Sequence, residues 1–147
     1  MNNSSGLIDS NILIYANLEN SPFYRQASDF INKEIENGKK FALALQNLVE
    51  FYAVLTNSKL TNPVRAPQEV SQKIQNILNS GFYGVIFPNT QTPTTLVLFL
   101  EKILVRGAEV HDVNLAATAI SNGINTIYTA DPRIFKKLGL TAINPLT

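Results

Sequence analysis

The sequence contains no cysteine. That excludes a disulfide framework, a thiolate zinc site and a cysteine nucleophile, and it suits a reducing, cytoplasmic setting. Histidine occurs once, as His111. No N-terminal stretch has the basic-then-apolar pattern of a leader peptide. Long hydrophobic runs are also missing. The most apolar helical candidate, Thr95 to Val105, is too short and carries Glu101 and Lys102, so no membrane association is expected. Charge is sparse, at 16% of 147 residues, and 45% are hydrophobic, which rules out a disordered or fibrous chain. No internal repeat, low-complexity tract or linker divides the sequence. Residues 1–147 are expected to form a single domain with a substantial core.

Against this scarcity of charge, four acids stand in apolar or uncharged settings. Asp9 follows Gly6-Leu7-Ile8. Glu50 is the only charge in Leu48-Val49-Glu50-Phe51-Tyr52-Ala53-Val54-Leu55. Asp112 opens Val113-Asn114-Leu115-Ala116-Ala117-Thr118-Ala119-Ile120, and Asp131 ends Thr126-Ile127-Tyr128-Thr129-Ala130. Desolvating a carboxylate costs several kcal/mol unless a cation or strong hydrogen bonds answer it. Each acid also has a plainer role open to it. Asp9, Asp112 and Asp131 can be helix caps, and Glu50 can pair with a distant Lys or Arg. Glu50 fits the plainer role least well, because a cap does not account for an acid inside an apolar helix.

Apolar runs alternate with helical patterns along the chain. Short strands are expected at Leu7-Ile8, Phe41 to Ala44, Val85 to Phe87, Thr126 to Thr129 and Thr141 to Ile143. Ser10 is a candidate cap for a helix through Ala16. Ser21-Pro22 reads as the start of a second helix ending at Asn37-Gly38. Gln46 to Asn57 is apolar nearly all round and should be a mostly buried helix. A helix from Ala66-Pro67 to Ser80-Gly81 places Val70, Ile74, Ile77 and Leu78 inward. Thr94 or Thr95 begins another, ending near Arg106-Gly107. Asp112 opens an Ala-rich helix, suited to close packing on a sheet, and Pro132 to Leu138 forms a short last one. This alternation predicts an α/β fold with a central, mostly parallel sheet and helices on both faces.

That topology gives the acids a common destination. Ligands of open α/β sheets bind outside the carboxyl ends of the strands. Asp9 and Asp131 follow strands directly, Asp112 sits at a helix N-terminus, and Glu50 lies one turn into a helix that follows a strand. All four can reach the same rim. Two carboxylates ~5 Å apart at an effective dielectric of ~20 repel by about 3 kcal/mol, so such a group calls for a cation. All-oxygen donors suit Mg²⁺ or Mn²⁺ rather than zinc. A site of this kind can activate water and stabilise an in-line displacement at phosphorus. The net charge of +1 supports this only weakly. Eleven acids less these four leaves seven against twelve basic residues, which permits a polyanionic partner without requiring one.

The same residues resemble the PIN domain family, and more narrowly its VapC-type toxins. The likeness lies in Leu7-Ile8-Asp9-Ser10-Asn11, in Gln46-Asn47-Leu48-Val49-Glu50-Phe51, in His111-Asp112-Val113-Asn114-Leu115-Ala116-Ala117 and in Thr129-Ala130-Asp131. No single motif is specific, but the ordered set covers nearly the whole chain. The resemblance implies a three-layer α/β/α PIN-like fold and a metal-dependent endoribonuclease that leaves 5′-phosphate and 3′-hydroxyl ends. Asp9 and Asp112 would be the principal Mg²⁺ or Mn²⁺ ligands. Glu50 and Asp131 would complete the catalytic, metal-holding pocket, and Ser10, Asn11 and Thr129 would orient the carboxylates. It further implies an RNA substrate, a homodimer and a cognate antitoxin of a type II toxin–antitoxin pair. A free-standing nuclease in RNA processing, or a non-catalytic RNA- or protein-binding module, are the alternatives. One stretch departs from the pattern. Relatives often carry Asp-x-Asp-Phe where this chain has Asp131-Pro132-Arg133-Ile134-Phe135.

Among the remaining residues, Lys59, Arg65, Arg106, Arg133, Lys136 and Lys137 are candidate phosphate contacts, because several fall in loops or at helix ends. Tyr15, Phe23, Phe30, Phe51 and Tyr52 recur at helical spacing and read as core or dimer interface. His111 reads as structural or as part of the substrate edge, since its side chain should diverge from that of Asp112.

Overall fold

The computed structural model describes residues 4–147. Five strands form the sheet: β1 (Ser4–Ile8), β2 (Lys40–Ala44), β3 (Tyr83–Ile86), β4 (Thr126–Tyr128) and β5 (Thr141–Ile143). Their order is β3-β2-β1-β4-β5, and every pairing is parallel. Seven helices cover it: α1 (Ser10–Tyr15), α2 (Tyr24–Glu36), α3 (Leu45–Leu55), α4 (Pro67–Asn79), α5 (Thr92–Lys102), α6 (Val110–Ser121) and α7 (Arg133–Lys137). The sheet is thus wholly parallel, where the sequence predicts a mostly parallel one.

The period-two alternation of each strand divides the apolar residues between two faces. Ile8, Phe41, Leu43 and Tyr128 pack with Ile12, Leu13, Ala27, Phe51, Leu55 and Val70 from α1 to α4. Leu7, Ala42, Ala44 and Ile127 pack with Val113, Ala116, Ala119 and Phe135 from α6 and α7. Small residues on this second face, Ala42 and Ala44 against the alanines of α6, let helix and sheet approach closely. Both faces are covered, as a parallel sheet requires.

One glycine has a steric task. Gly6 lies in β1 at φ 135° beside an irregularity in the β1–β2 register. A Cβ there would stand 2.9 Å from the Thr126 carbonyl oxygen and 3.1 Å from the Tyr128 ring. Gly6 therefore lets β1 and β4 lie together with Tyr128 across them, and those two strands frame the site.

Several element starts differ from the sequence expectation. Asp9, not Ser10, caps α1, because its carboxylate takes the Ser10 N–H. In the second helix, Ser21 and Pro22 form a turn in which Ser21 Oγ accepts from Phe23 N–H at 3.1 Å, and α2 begins at Tyr24. A 3₁₀ turn at Gly107–Glu109 leads into α6 at Val110, so Asp112 lies in the first turn rather than at its opening. On α4, Val70, Ile74 and Ile77 face the core as expected, but Leu78 is 44% exposed.

Candidate active site

The chain runs β1, β2, β3 in one direction across the sheet and then returns to place β4 on the other side of β1. The reversal opens a crevice at the carboxyl ends of β1 and β4, the switch point where open α/β sheets bind ligands. Asp9 leaves β1 into this crevice, and its N–H donates to the Tyr128 carbonyl at the end of β4 at 2.9 Å. Asp9 is only 6% exposed. Its Oδ1 accepts from Ser10 N–H at 2.7 Å, and Oδ2 accepts from Thr129 Oγ1 at 2.8 Å.

Thr129 is itself pinned. Its hydroxyl accepts from Asn11 Nδ2 at 3.4 Å and from Asp131 N–H at 3.2 Å, leaving its single proton for Asp9. Asn11 Oδ1 in turn accepts from Ala130 N–H at 3.2 Å. Ser10 Oγ lies 2.8 Å from Glu50 Oε2 and 3.3 Å from Asp9 Oδ1. The one hydroxyl proton favours the shorter contact, so Ser10 ties α1 to the glutamate of α3 while its backbone serves Asp9.

Glu50 is held on its other oxygen as well. Gln46 Nε2 donates to Glu50 Oε1 at 2.9 Å and to the His111 carbonyl at 2.9 Å, and Gln46 Oε1 accepts from Asn114 Nδ2 at 2.7 Å. Gln46 thereby joins α3 to the first turn of α6, next to Asp112. Neither Gln46 nor Asn114 stands out in the sequence. Gln46 precedes Glu50 by one helical turn, which was the available signal, but the bond to Asn114 spans 68 residues.

The electrostatics link the four acids. Burial pushes the Asp9 carboxyl up to about 6; the Thr129 and Ser10 hydrogen bonds oppose this, and the charges of Asp112 and Glu50 add to it. Asp112 is also raised, first by burial, then by the charges of Asp131 and Glu50. Asp131 behaves differently. Arg133 binds it through both carboxylate oxygens and holds its carboxyl below the ordinary range. Among the described residues, no Lys or Arg pairs with Asp9, Glu50 or Asp112.

The basic residues considered as phosphate contacts are scattered. Arg133 is at the site. Arg106 and Lys136 are exposed. Arg65 is not: it follows the cis Asn62–Pro63 bond, turns back onto the Pro63 carbonyl, lies 3.8 Å from Glu69 and bonds through its N–H to Leu55 at the far end of α3. His111 is exposed, with its carbonyl turned to Gln46. Of the aromatics, Phe51 is fully buried and Phe30 packs on Phe41 and Tyr128, whereas Phe23 and Tyr52 are exposed.

The donor chemistry fits a hard divalent cation. A buried carboxylate with a raised pKa and two acidic neighbours gains most from an added positive charge. Among the described residues, no three His, Asp or Glu side chains are gathered closely enough to ligate an ion together. Mg²⁺ needs no such cage, since it is held by one or two carboxylates and keeps several waters.

The PIN domain family model matches residues 6–140, and the chain belongs to that family. Solved structures share the fold at low identity. The FitAcB structure from Neisseria gonorrhoeae is 16% identical over 95% of this chain and 96% of its own, with a TM-score of 0.68. VapC20 of Mycobacterium tuberculosis, a toxin that cleaves the sarcin-ricin loop, is 15% identical over 91% and 95%, with a TM-score of 0.65. VapBC2 of Rickettsia felis, solved on a DNA fragment from its promoter, is 18% identical over 94% and 96%, with a TM-score of 0.64. No curated protein matches the chain.

Proposed function

We propose that this protein is a metal-dependent endoribonuclease that hydrolyses RNA phosphodiester bonds, and that it acts as the toxin of a toxin–antitoxin pair. The observation that carries this reading is the buried Asp9 carboxylate, raised to about 6 and coupled to the charges of Glu50 and Asp112, with no Lys or Arg in ion-pair contact with any of the three among the described residues. Asp9 and Asp112 would hold Mg²⁺ or Mn²⁺, with Glu50 adjacent. When bound, the ion supplies Lewis acidity to the phosphate and an acidified water. The protein's part is positioning. Thr129 and the Ser10 N–H fix both oxygens of Asp9, and Ser10 and Gln46 fix both oxygens of Glu50. Glu50 thus presents a carboxylate in a set direction, suited to take a proton from the attacking water.

Two further features support the toxin setting. A neighbour of the same fold from Klebsiella pneumoniae was solved as a toxin–antitoxin complex, and VapC20 is itself a toxin. An apolar pocket of about 320 Å³ is lined by Asn11, whose side chain bonds to Thr129, together with Ile14, Tyr15, Leu18, Val54 and Leu60. It suits the apolar side chains of an antitoxin segment bound near the site. Val97 and Leu98, adjacent and exposed on α5, are apolar surface suited to a homodimer contact.

The test is incubation of purified protein with total RNA and Mn²⁺, with the new ends mapped. Cleavage leaving 5′-phosphates, lost in EDTA and in Asp9→Ala, is expected. Equal cleavage by wild type and Asp9→Ala would overturn the reading, and RNA retention without cleavage would favour a binding module.

A further inference from the structure

Asp131 differs from the other three acids in bringing its own cation. Arg133 Nε donates to Oδ1 at 2.9 Å and Nη2 donates to Oδ2 at 2.8 Å, a two-pronged fork that occupies both carboxylate oxygens. The pair is anchored from below, because the Asp131 N–H rests on Thr129 Oγ1 at 3.2 Å, the hydroxyl that serves Asp9. It is also open to solvent, with the Arg133 side chain 77% exposed and that of Asp131 50%.

This geometry opposes direct metal binding by Asp131. An ion would have to displace a guanidinium that is bidentate and always charged, and that repels it. The guanidinium itself is underused. Of its five N–H donors, two are spent on Asp131. The other three meet no partner among the described residues, and they stand at the rim of the acid crevice. A guanidinium fixed along one edge, with its other donors free, is arranged to take a phosphate oxygen.

We propose that Arg133 is a contact for an RNA backbone phosphate next to the acid crevice, and that Asp131 orients it instead of ligating the metal. This rests on the nuclease reading. In it, the ion is left to Asp9 and Asp112, with Glu50 adjacent, and the residue that departs from the family pattern, Arg133, becomes a substrate-positioning group. An exposed pair of this kind contributes little to folding, so variants at either position should fold.

The test pairs calorimetry with steady-state kinetics on a single-stranded oligoribonucleotide. Arg133→Ala should raise KM about tenfold near 0.1 M salt, with kcat within about twofold, and Arg133→Lys should recover part of the loss. The dependence of log KM on log salt should become shallower by about 0.7, the share of one phosphate contact on a single strand. Asp131→Asn should bind Mn²⁺ within about twofold of wild type while its KM rises; Asp112→Asn should lose Mn²⁺ binding. If Asp131→Asn loses Mn²⁺ affinity as Asp112→Asn does, or if Arg133→Ala keeps the wild-type KM and salt slope, the proposal is overturned. A wild type that cleaves RNA under those outcomes leaves the nuclease reading standing; a wild type that neither binds Mn²⁺ nor cleaves removes both.

Discussion

At the scale of the residue, the central fact is a carboxylate kept where it is uncomfortable. The Asp9 carboxyl lies at about 6, roughly two units above its ordinary value, mainly through burial. A group whose folded pKa is raised binds more protons folded than unfolded between about 4 and 6. Stability of the metal-free protein should therefore increase as pH falls through 6 toward 4, by about 3 kcal/mol from this group. Thermal melts in EDTA from pH 7.5 down to 5 should show a rising Tm. Asp9→Asn should flatten that dependence and raise the Tm at pH 7.5; a Tm that falls steadily with acid in wild type would contradict it. Gln46→Ala should free one oxygen of Glu50 and lower kcat about tenfold with KM little changed, read by initial rates. The acids themselves were legible in the sequence, because a lone Glu inside an apolar helix is neither a cap nor an ordinary surface charge. The Gln46–Asn114 tie was not, since it joins residues 68 apart whose amides carry no pattern. The Arg133–Asp131 fork lies within three residues, yet spacing alone does not separate a fork from two independent roles, one toward phosphate and one toward metal.

At the scale of the element, β1 and β4 decide the geometry of the crevice, and Gly6 decides how near they lie. Gly6→Ala places a methyl within 2.9 Å of the Thr126 carbonyl at a φ that side chains avoid. It should cost about 2–4 kcal/mol, measured by denaturant unfolding, and blunt activity by shifting Asp9 against Thr129. An unchanged midpoint would mean the strands can separate there at no cost. The strands and most helices were readable from alternation and period. Their starts were less so. Asp9 rather than Ser10 caps α1, because the first helical N–H lies within reach of the carboxylate, and a cap and a candidate ligand look the same in one dimension. The 3₁₀ turn at Gly107–Glu109 has no periodicity of its own to reveal it.

At the scale of the whole molecule, the wholly parallel sheet and its reversal at β1 are what bring residues 9, 50, 112 and 131 to one rim. The alternation of strands and helices foretold that layering, and the PIN family match bears it out. The exposed apolar residues Val97 and Leu98 of α5, proposed as a homodimer contact, belong to this scale. If the proposed homodimer forms through this surface, Leu98→Glu should shift it toward monomer in sedimentation without unfolding the chain, because Leu98 is 60% exposed.

Whether the acids form a divalent-cation site is decided by calorimetric titration of Mn²⁺ into the protein at pH 7.5 and 5.5. Saturable binding is expected at pH 7.5, weaker by about threefold or more at pH 5.5 as protons compete for Asp9, and absent in Asp9→Asn and Asp112→Asn. No binding by wild type, or equal binding by all three proteins, would contradict it.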